Sequence, residues 1–504
     1  MRKLEGLKKS LRNSFCQTYD DQDKSKSYIP NNVLDTIVTP DAISTILPLI
    51  AEGATPAELD NLAQTIVGRR SEKNDEVKEY RKVFVILMLI KKVDSIHDFV
   101  KAEITDARLP LLRINERSLR SFDLCPSDNN EAISFIKAWD DEEIELFEKE
   151  QWGILAPFFS SKTEEKDGVR HYKFSSRERL PFQLIDDQAS INANRTTKTN
   201  DTENEDNPSL ALKELFRSNR SVFDNEVLIL KKLNKFNCSH LVKLILTMEV
   251  CVNPNESKFF LVFPLADCNL TQFWGTNFPH LKGANMAAYP RWVAQQCHGL
   301  ADALGKLHDT RQLQVEGPQK EAEGSQGSSS DPSFGIHGDI KPDNLLWYKN
   351  WVGSATQASQ DNWASLGVIQ LADFGITRLH HTDTKSNVDK IRGTKTYAPP
   401  EVEWAVSGFS RSFDIWSLGC VFLELVCWLV QGGSGTKNPV EAFHQRRYLD
   451  GKNISLQSTK QDTFYTLEKK QHGTRFVPRV NPAVVEVCMV RSRPLLCMST
   501  WLPG

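Results

Sequence analysis

The sequence predicts an α+β protein in which a mainly helical N-terminal extension precedes a small β-rich lobe and a larger helical lobe. Three observations support this fold class. Residues 1–170 read mainly as helix and loop, residues 178–266 follow the order strand, helix, strand, strand, and residues 267–504 return to apolar residues at helical spacing. We therefore expect a helical extension over 1–170 and a two-lobed domain over 171–504, since 504 residues can supply each with its own core.

Composition and charge narrow the class of protein. A hydrophobic content of 40%, a charged content of 25% and a formal net charge of -3 are ordinary for a soluble globular chain and lack the basic excess of a nucleic-acid binder. The 10 cysteines form no CxxC pair, which favours reduced intracellular thiols over a disulfide framework or a zinc site. The N-terminal stretch MRKLEGLKKSLRNSF has no apolar segment of a secretory signal. We expect an intracellular protein of the cytoplasm or nucleus, with no nucleic-acid partner, no membrane partner and no transmembrane segment.

Three helices are predicted in the N-terminal extension. TPAELDNLAQTIV opens with Thr55, Pro56 and Glu58, the residues of a capping box with proline in the first turn. An uninterrupted apolar run from Val83 to Ile90 lies between charged flanks, and a helix that is apolar on every side must be buried. DDEEIELFEKEQW predicts a third helix with an acidic start.

The small lobe is expected to combine strands with one helix. The predicted strands are LPFQLIDD, LALKELF, HLVKLILTMEV and KFFLVFPL, and the predicted helix is FDNEVLILKKLNKF. Between the first two strands, residues 188–209 are almost wholly polar, so we expect them to form a flexible loop insert.

The large lobe is expected to be helical, with polar inserts near residues 311–334 and 350–366. RWVAQQCHGLADALGKLHD carries apolar residues at helical spacing. The apolar run from Ile415 to Val430 is short for a bilayer and is interrupted by Glu424, so it predicts a buried helix. The C-terminal stretch VNPAVVEVCMVRSRPLLCMSTWLPG shows no helical period, so we predict no helix there.

One short stretch concentrates the chemistry. HGDIKPDNLLWYK, His337 to Lys349, places a carboxylate at Asp339, an ammonium at Lys341 and an amide at Asn344, and DFG follows from Asp373. Phosphoryl transfer requires the phosphates and a metal to be held in line and the acceptor hydroxyl to be oriented. A carboxylate can take the hydroxyl proton, an ammonium can stabilise charge on the moving phosphoryl group, and carboxylate and amide oxygens suit Mg²⁺.

These residues are part of a longer ordered set. Upstream are Lys213 in a strand and Glu226 on the next helix, and downstream are GTKTYAPPE, which ends at Glu401, and FDIWSLG, which contains Asp414. This order resembles the eukaryotic protein kinases over about Leu180 to Val430. It is similar in particular to filamentous-fungal protein-kinase-domain proteins, which share the HGD form, a YxPPE stretch and a helical N-terminal extension. The resemblance implies a two-lobed protein-kinase-like fold.

The resemblance also implies an activity. Asp339 would orient the acceptor hydroxyl and accept its proton, and Lys341 would stabilise the transferred phosphoryl group. A lysine two places after the catalytic acid resembles the serine/threonine type rather than the tyrosine type. The implied reaction is transfer of the γ-phosphate of ATP to a Ser or Thr hydroxyl of a protein substrate.

Binding of ATP and Mg²⁺ is implied at further residues. Lys213, fixed by Glu226, would hold the α- and β-phosphates, and Asn344 and Asp373 would bind Mg²⁺.

FFLVFPLADCNL would be the segment that contacts adenine through its backbone. Pro264 lacks a donor but keeps its carbonyl, and Ala266 would supply an amide. In the implied activation segment, Thr394 would help to position the substrate and Glu401 would pair with a late arginine. Asp414 would support the catalytic loop from the apolar helix.

The sequence departs from the family pattern at three places. Position 338 is Gly338, where most of these kinases carry an arginine that meets an activation-loop phosphate, so we expect little dependence on such a phosphate. No glycine occurs between residues 171 and 274, where the Gly-rich loop over the phosphates is expected. The C-terminal end is also atypical, and Arg491 and Arg493 are candidate partners of Glu401 only by their position.

Three functions stay open at this point. The first is a protein serine/threonine kinase that uses MgATP. The second is a pseudokinase or scaffold, because the missing Gly-rich loop should weaken ATP binding. The third is a small-molecule phosphotransferase, which also uses an HGD loop, although GTKTYAPPE and FDIWSLG resemble peptide-substrate machinery. The sequence predicts no oligomeric state.

Overall fold

The computed structural model divides the chain into two compact units. The first comprises Met1–Ser218 and Ile245–Leu265, and the second comprises Asn219–Leu244 and Ala266–Gly504. The described residues are 2–18, 26–50, 53–71, 74–117, 121–157, 169–180, 182–184, 194–199, 209–215, 220–253, 256–279, 287–309, 334–350, 366–375, 378–380, 395–404, 410–431, 438–450, 462–469 and 476–488.

The first unit opens with helices and short hairpins. Its helices are α1 Arg2–Asn13, α2 Asn31–Ile37, α3 Pro40–Ser44, α4 Pro56–Val67, α5 Arg81–Leu89, α6 Ile96–Lys101 and α7 Asp141–Ile154. Its antiparallel strand pairs are β1 Cys16–Gln17 with β2 Ser27–Tyr28, β3 Arg69–Ser71 with β4 Asn74–Lys78, and β5 Leu112–Ile114 with β6 Asp123–Cys125. The three predicted helices are present as α4, α5 and α7, whereas the hairpins were not predicted.

Helix α5 lies in the core of the N-terminal extension. Every side chain from Val83 to Leu89 is buried and belongs to one apolar cluster. Phe99 stacks on Phe147 in the same cluster, with ring centroids 5.7 Å apart. The prediction of a buried helix is therefore confirmed.

Local signals fix where α4 and α7 begin. Glu58 N donates to Thr55 Oγ1 at 3.4 Å, and Thr55 N donates to Glu58 Oε2 at 2.8 Å, which confirms the predicted capping box. Asp140 and Glu143 form the same reciprocal pair at the start of α7. Each cap satisfies backbone N–H groups that the helix leaves unpaired, which contributes about 1 kcal/mol.

A six-stranded sheet completes the first unit. Its strands are β7 Arg170–Phe174, β8 Phe182–Leu184, β9 Asn194–Thr199, β10 Ser209–Glu214, β11 Leu246–Asn253 and β12 Glu256–Pro264. Their order is β7-β11-β12-β10-β9-β8, with β7 parallel to β11 and the other neighbours antiparallel. Alternate residues of three strands, such as Leu212, Met248 and Phe260, form an apolar cluster on one face of the sheet.

The prediction of a flexible loop over residues 188–209 was wrong for the middle of this stretch, where the chain forms strand β9. Asn194–Thr199 pairs with β10, with Leu212 opposite Arg195 and Lys213 opposite Asn194. Strand pairing is a backbone interaction, and the threonines of RTTKT favour extended backbone, so a polar segment can form a strand. Residues 188–193 and 200–208 of this insert lie outside the described residues, as do almost all residues of the inserts near 311–334 and 350–366.

The extension is fastened to the sheet within the first unit. Glu148 of α7 is buried, and its carboxylate lies 2.7 Å from Arg113 Nη2 and 3.0 Å from Arg177 Nη1. Thr18 also donates a hydrogen bond to the carbonyl of Leu180. Arg177 and Leu180 lie directly between β7 and β8, so these contacts tie the helical region to the start of the sheet.

The second unit is mainly helical, as predicted. Its helices are α8 Arg220–Asn234, α9 Leu270–Thr276, α10 Ala288–His308, α11 Arg411–Gln431 and α12 Pro439–Asp450. Its strands are β13 Cys268–Asn269, β14 Phe334–Ile336, β15 Leu345–Tyr348, β16 Val368–Leu371, β17 Arg378–His380, β18 Tyr465–Lys469 and β19 Phe476–Val480, joined as β13-β15-β16, β14-β17 and β18-β19. Residues 482–488 are also helical, which corrects the prediction of no helix at the C-terminal end. A helix this short completes too few turns to show a period in the sequence.

Helix α11 is the core helix of the second unit. Among the described residues it is the one helix whose length and composition would allow it to cross a membrane, with 56% of its most apolar window buried in the protein. Its acidic residues Asp414 and Glu424 are fully buried and hydrogen-bonded. The predicted buried helix is therefore present.

Candidate active site

The loop 337–344 is fixed at both ends by strands. β14 ends directly before it and β15 begins directly after it, with a 3-10 turn at Pro342–Asn344. β15 pairs with β16, and Ala372 N donates to the carbonyl of Asn344 at 3.0 Å. This hairpin brings the end of the loop beside the DFG stretch, which follows β16.

Three of the predicted residues meet at one carboxylate. Lys341 Nζ lies 2.9 Å from Asp339 Oδ2. Asn344 Nδ2 donates to the same oxygen at 3.1 Å and to the backbone carbonyl of Asp339 at 2.8 Å. The side chains of Asp339 and Lys341 are 17% and 22% exposed, so both are held in place yet accessible to a substrate.

Asn344 and Asp373 offer oxygen atoms to a cation. Asn344 donates to Asp339 through Nδ2, which leaves its amide oxygen as the atom to bind a metal. Asp373 is exposed and has a φ of 64°, a left-handed conformation that costs a non-glycine residue about 1–2 kcal/mol. Such strained residues cluster at functional sites.

The donor set fits Mg²⁺ with ATP. The described residues include no group of three or more His, Cys, Asp or Glu that could hold an ion unaided. Mg²⁺ is usually held by one or two carboxylates together with substrate phosphates and water, so two oxygen donors such as those of Asn344 and Asp373 suffice.

Asp414 supports the loop from α11. It is 0% exposed, and its two carboxylate oxygens accept hydrogen bonds from the backbone amides of His337 and Gly338, each at 2.8 Å. His308 Nε2 lies 2.8 Å from Asp414 Oδ2. The expected support of the loop is confirmed, and the role of His308 in it was not predicted.

His337 joins the loop to the DFG stretch and was also missed by the sequence analysis. Asp339 N donates to His337 Nδ1 at 3.3 Å, so the ring proton is on Nε2, which donates to the carbonyl of Ala372 at 3.0 Å. The ring also meets Phe374 edge to face, with centroids 5.1 Å apart. The HGD stretch itself was the available signal, because its histidine precedes the catalytic acid by two residues.

Gly338 has a structural reason to be glycine. Its φ is 80°, a conformation that other residues adopt only with strain, and its amide is one of the donors to Asp414. A glycine at this position, where most of these kinases carry an arginine, therefore suits the positive φ of the loop backbone.

The other predicted residues lie on the expected elements of the two units. Lys213 lies on β10, opposite Leu261 of β12, and Pro264 is the last residue of β12; both belong to the first unit. Glu226 lies on α8 of the second unit and is 2% exposed, and Ala266 begins the second segment of that unit. Their roles toward ATP stay predictions.

The end of the implied activation segment lies in the described part of the chain. Thr394, Arg491 and Arg493 lie outside it, so their predicted roles are not tested. Glu401 is exposed, and the hydroxyl of Tyr465 donates to its neighbour Glu403 at 3.0 Å.

Comparisons with known proteins agree with this geometry. Residues 333–466 match the family model described as the protein kinase domain. The chain is 25% identical over 205 residues to "Probable cyclin-dependent kinase 8" of Dictyostelium discoideum, which covers 40% of this chain and 41% of that protein. It is 36% identical over 93 residues to serine/threonine-protein kinase crk1 of Schizosaccharomyces pombe, which covers 18% of this chain and 22% of that protein. The matched regions thus span less than half the length of these curated relatives.

The matched residues contain the structural features described above. The loop with Asp339, the DFG stretch and Asp414 all fall within residues 333–466. Through residues 333–466, the chain is similar to the protein kinase domain, which supports the resemblance to the eukaryotic protein kinase superfamily.

Proposed function

We propose that the protein is a serine/threonine kinase that transfers the γ-phosphate of MgATP to a Ser or Thr hydroxyl of a protein. The observation that carries this proposal is the group at Asp339, where Lys341 and Asn344 lie 2.9 Å and 3.1 Å from one carboxylate oxygen. The printed names of the two relatives, a cyclin-dependent kinase and a serine/threonine-protein kinase, support the same class.

Each of the predicted site residues would have a separate role in the reaction. Asp339 would accept the proton of the acceptor hydroxyl. The hydroxyl oxygen would bond to the γ-phosphorus while the bond between that phosphorus and the ADP oxygen breaks. Lys341 would stabilise the negative charge on the transferred group. When bound, Mg²⁺ would neutralise phosphate charge, and Asn344 and Asp373 would hold it.

The first unit and α8 would supply the remaining ATP contacts. Lys213 would bind the α- and β-phosphates with its ammonium group, and Glu226 would fix that lysine. The backbone carbonyl of Pro264 and the amide of Ala266 would bind adenine.

The proposal includes an organisation of the chain. It divides into an extension at 1–170 and a kinase domain at 171–504, with lobes at about 178–266 and 267–504. We propose an intracellular protein whose partner is a protein substrate rather than a nucleic acid or a membrane.

A pseudokinase is the second candidate, and one specific observation favours it. No glycine occurs between residues 171 and 274, although the hairpin of β8 and β9 is where a Gly-rich loop would cover the phosphates. Without such a loop, the backbone cannot approach the β- and γ-phosphates as closely. A small-molecule phosphotransferase has less support.

Transfer of labelled phosphate from MgATP to a mixed protein acceptor tests the proposal. Asp339→Asn removes the proton acceptor and should lower the rate by about 10²–10⁴-fold. Asp343→Asn is the matched control, because Asp343 is exposed in the same loop and only accepts from Thr271 Oγ1 at 3.1 Å. Label on Ser or Thr that is lost in Asp339→Asn alone supports a kinase; equal background in all three proteins favours the pseudokinase.

A further inference from the structure

A buried arginine links the C-terminal segment, residues 462–469 and 476–488, to the core of the second unit. Arg447 of α12 is 0% exposed, and its Nη2 lies 3.0 Å from Glu424 Oε1 of α11. Its Nε and Nη2 also donate to the two oxygens of Asp462, at 2.7 Å and 3.0 Å. The guanidinium also lies against the rings of Phe443 and Phe464, at 4.3 Å and 4.0 Å from their centroids.

The same glutamate holds the segment Lys395–Trp404. The Tyr397 hydroxyl donates to Glu424 Oε2 at 3.0 Å, and Ser417 Oγ of α11 donates to the carbonyl of Tyr397 at 2.8 Å. The C-terminal segment contacts this stretch a second time through Tyr465, whose hydroxyl donates to Glu403. A continuous chain of contacts therefore runs from residue 462 to the stretch that precedes α11.

The C-terminal segment is itself anchored on Arg447. Asn481 Nδ2 donates to the backbone carbonyls of Arg447 at 3.2 Å and Thr463 at 3.0 Å. The match to the protein kinase domain ends at residue 466, so β19, Asn481 and the helix at 482–488 lie beyond it. These contacts thus join the general kinase region to a part of the chain that the family model does not describe.

We propose that the C-terminal segment, residues 462–469 and 476–488, positions the acceptor-binding stretch Lys395–Trp404 through contacts that run from Asp462 to Arg447, Glu424 and Tyr397. This inference rests on the proposed function, because it assigns the stretch to the protein acceptor rather than to ATP. Arg447 makes three charge-assisted hydrogen bonds through Nε and Nη2 to Glu424 and Asp462. Buried charges paired in this way favour one geometry, since a displacement leaves a charge unpaired. Arg447 and Asp462 are positioning residues, which contact neither substrate nor the reacting atoms.

Two conservative variants each weaken one end of this series of contacts, one at Tyr397 and the other at Asp462. Tyr397→Phe removes one hydroxyl and keeps the ring against Phe464, at 5.9 Å between centroids. Asp462→Asn weakens the pair with Arg447 at a side chain that is already 21% exposed. Glu468→Gln is the matched control, since it breaks the exposed pair with Arg479 in the same hairpin.

The first measurement is the KM for a protein acceptor and the KM for ATP. The loss of one charge-assisted hydrogen bond corresponds to about tenfold in an equilibrium, so both variants should raise the acceptor KM by about tenfold. The KM for ATP should change by less than about twofold. The double variant should lose less than the product of the two single effects, because both act on one network. Parallel rises in both KM values, or an Asp462→Asn protein that behaves like Glu468→Gln, would overturn the inference.

The second measurement is hydrogen exchange, which needs no activity. Both variants should exchange the backbone amides of residues 395–404 about tenfold faster, while Glu468→Gln should match the unmodified protein. A chain without transfer activity would contradict the proposed function, and the exchange result would then decide the inference alone. Unchanged exchange at 395–404 in both variants refutes it.

Discussion

Replacement of the buried Asp414 by asparagine is the most direct test of how the catalytic loop is held. The carboxylate accepts from the amide of His337 on Oδ2 and from the amide of Gly338 on Oδ1, each at 2.8 Å, and Oδ2 is also 2.8 Å from His308 Nε2. An amide has only one acceptor oxygen. If that oxygen replaces Oδ2, the NH₂ group faces the N–H of Gly338, and two donors oppose each other in a buried place.

The expected cost follows from these bonds. One charge-assisted hydrogen bond is worth about 1.5–3 kcal/mol, and an unsatisfied buried donor adds to the loss. We therefore expect Asp414→Asn to lower the free energy of unfolding by about 2–4 kcal/mol. Because the lost bonds fix the loop that carries Asp339, we also expect the rate of phosphate transfer to fall by about 10²-fold.

Urea unfolding followed by tryptophan fluorescence measures the first quantity, and the labelled-ATP assay measures the second. Asp302→Asn is the matched control, because Asp302 is 49% exposed, pairs with Lys306 on α10 and otherwise accepts only a weak thiol hydrogen bond from Cys238 at 3.9 Å, so the change should cost less than about 1 kcal/mol. An Asp414→Asn protein that unfolds at the same urea concentration as the control would refute the hydrogen-bond argument. A destabilised protein with an unchanged transfer rate would refute the positioning argument.

Two further predictions concern backbone strain and pH. Gly338→Ala should destabilise the protein by about 1–2 kcal/mol, because the φ of Gly338 is 80°. Gly305→Ala on α10 should stabilise it by up to about 1 kcal/mol, because a Cβ at Gly305 would meet no atom within 4 Å. Equal urea midpoints for the two variants would contradict this prediction. Asp106 accepts from the amides of Lys82 and Val83, yet burial raises its pKa from 3.8 to about 6. The folded state then binds more protons than the unfolded state between these values, so stability should fall by about 3 kcal/mol as pH rises from 4 to 7. Asp106→Asn should remove this slope in unfolding midpoints measured over that range, and equal slopes in both proteins would show that Asp106 is not its source.

Features that depend on neighbouring residues could be predicted from the sequence. The capping box at Thr55 and Glu58 needs only four consecutive residues, and it is present as expected. The meeting of Lys341 and Asn344 at Asp339 was also predictable, because a tight turn brings residues two and five positions away onto the acid. Local spacing is sufficient information in both cases.

Features that depend on distant partners could not be predicted. β9 is a strand because β8 and β10 pair with its backbone on both sides, and its polar side chains gave no sign of that. The ion network joins Glu424, Arg447 and Asp462 from three separate segments, and no spacing rule connects them. Arg447 and Asp462 each read as an ordinary surface residue, since charged residues are rarely buried unless paired.

The parallel pairing of β7 with β11 has a consequence for solubility. Because β7 is the outer strand, the backbone groups of β11 are paired on both sides rather than presented at an open edge. Open edges are templates for pairing with other chains and for aggregation. A polypeptide that started after Phe174 would expose this edge and would also lose the Glu148 contact to Arg177. β7 thus protects this edge of the sheet, so a fragment of the first unit that is meant to stay soluble should include Arg170–Phe174.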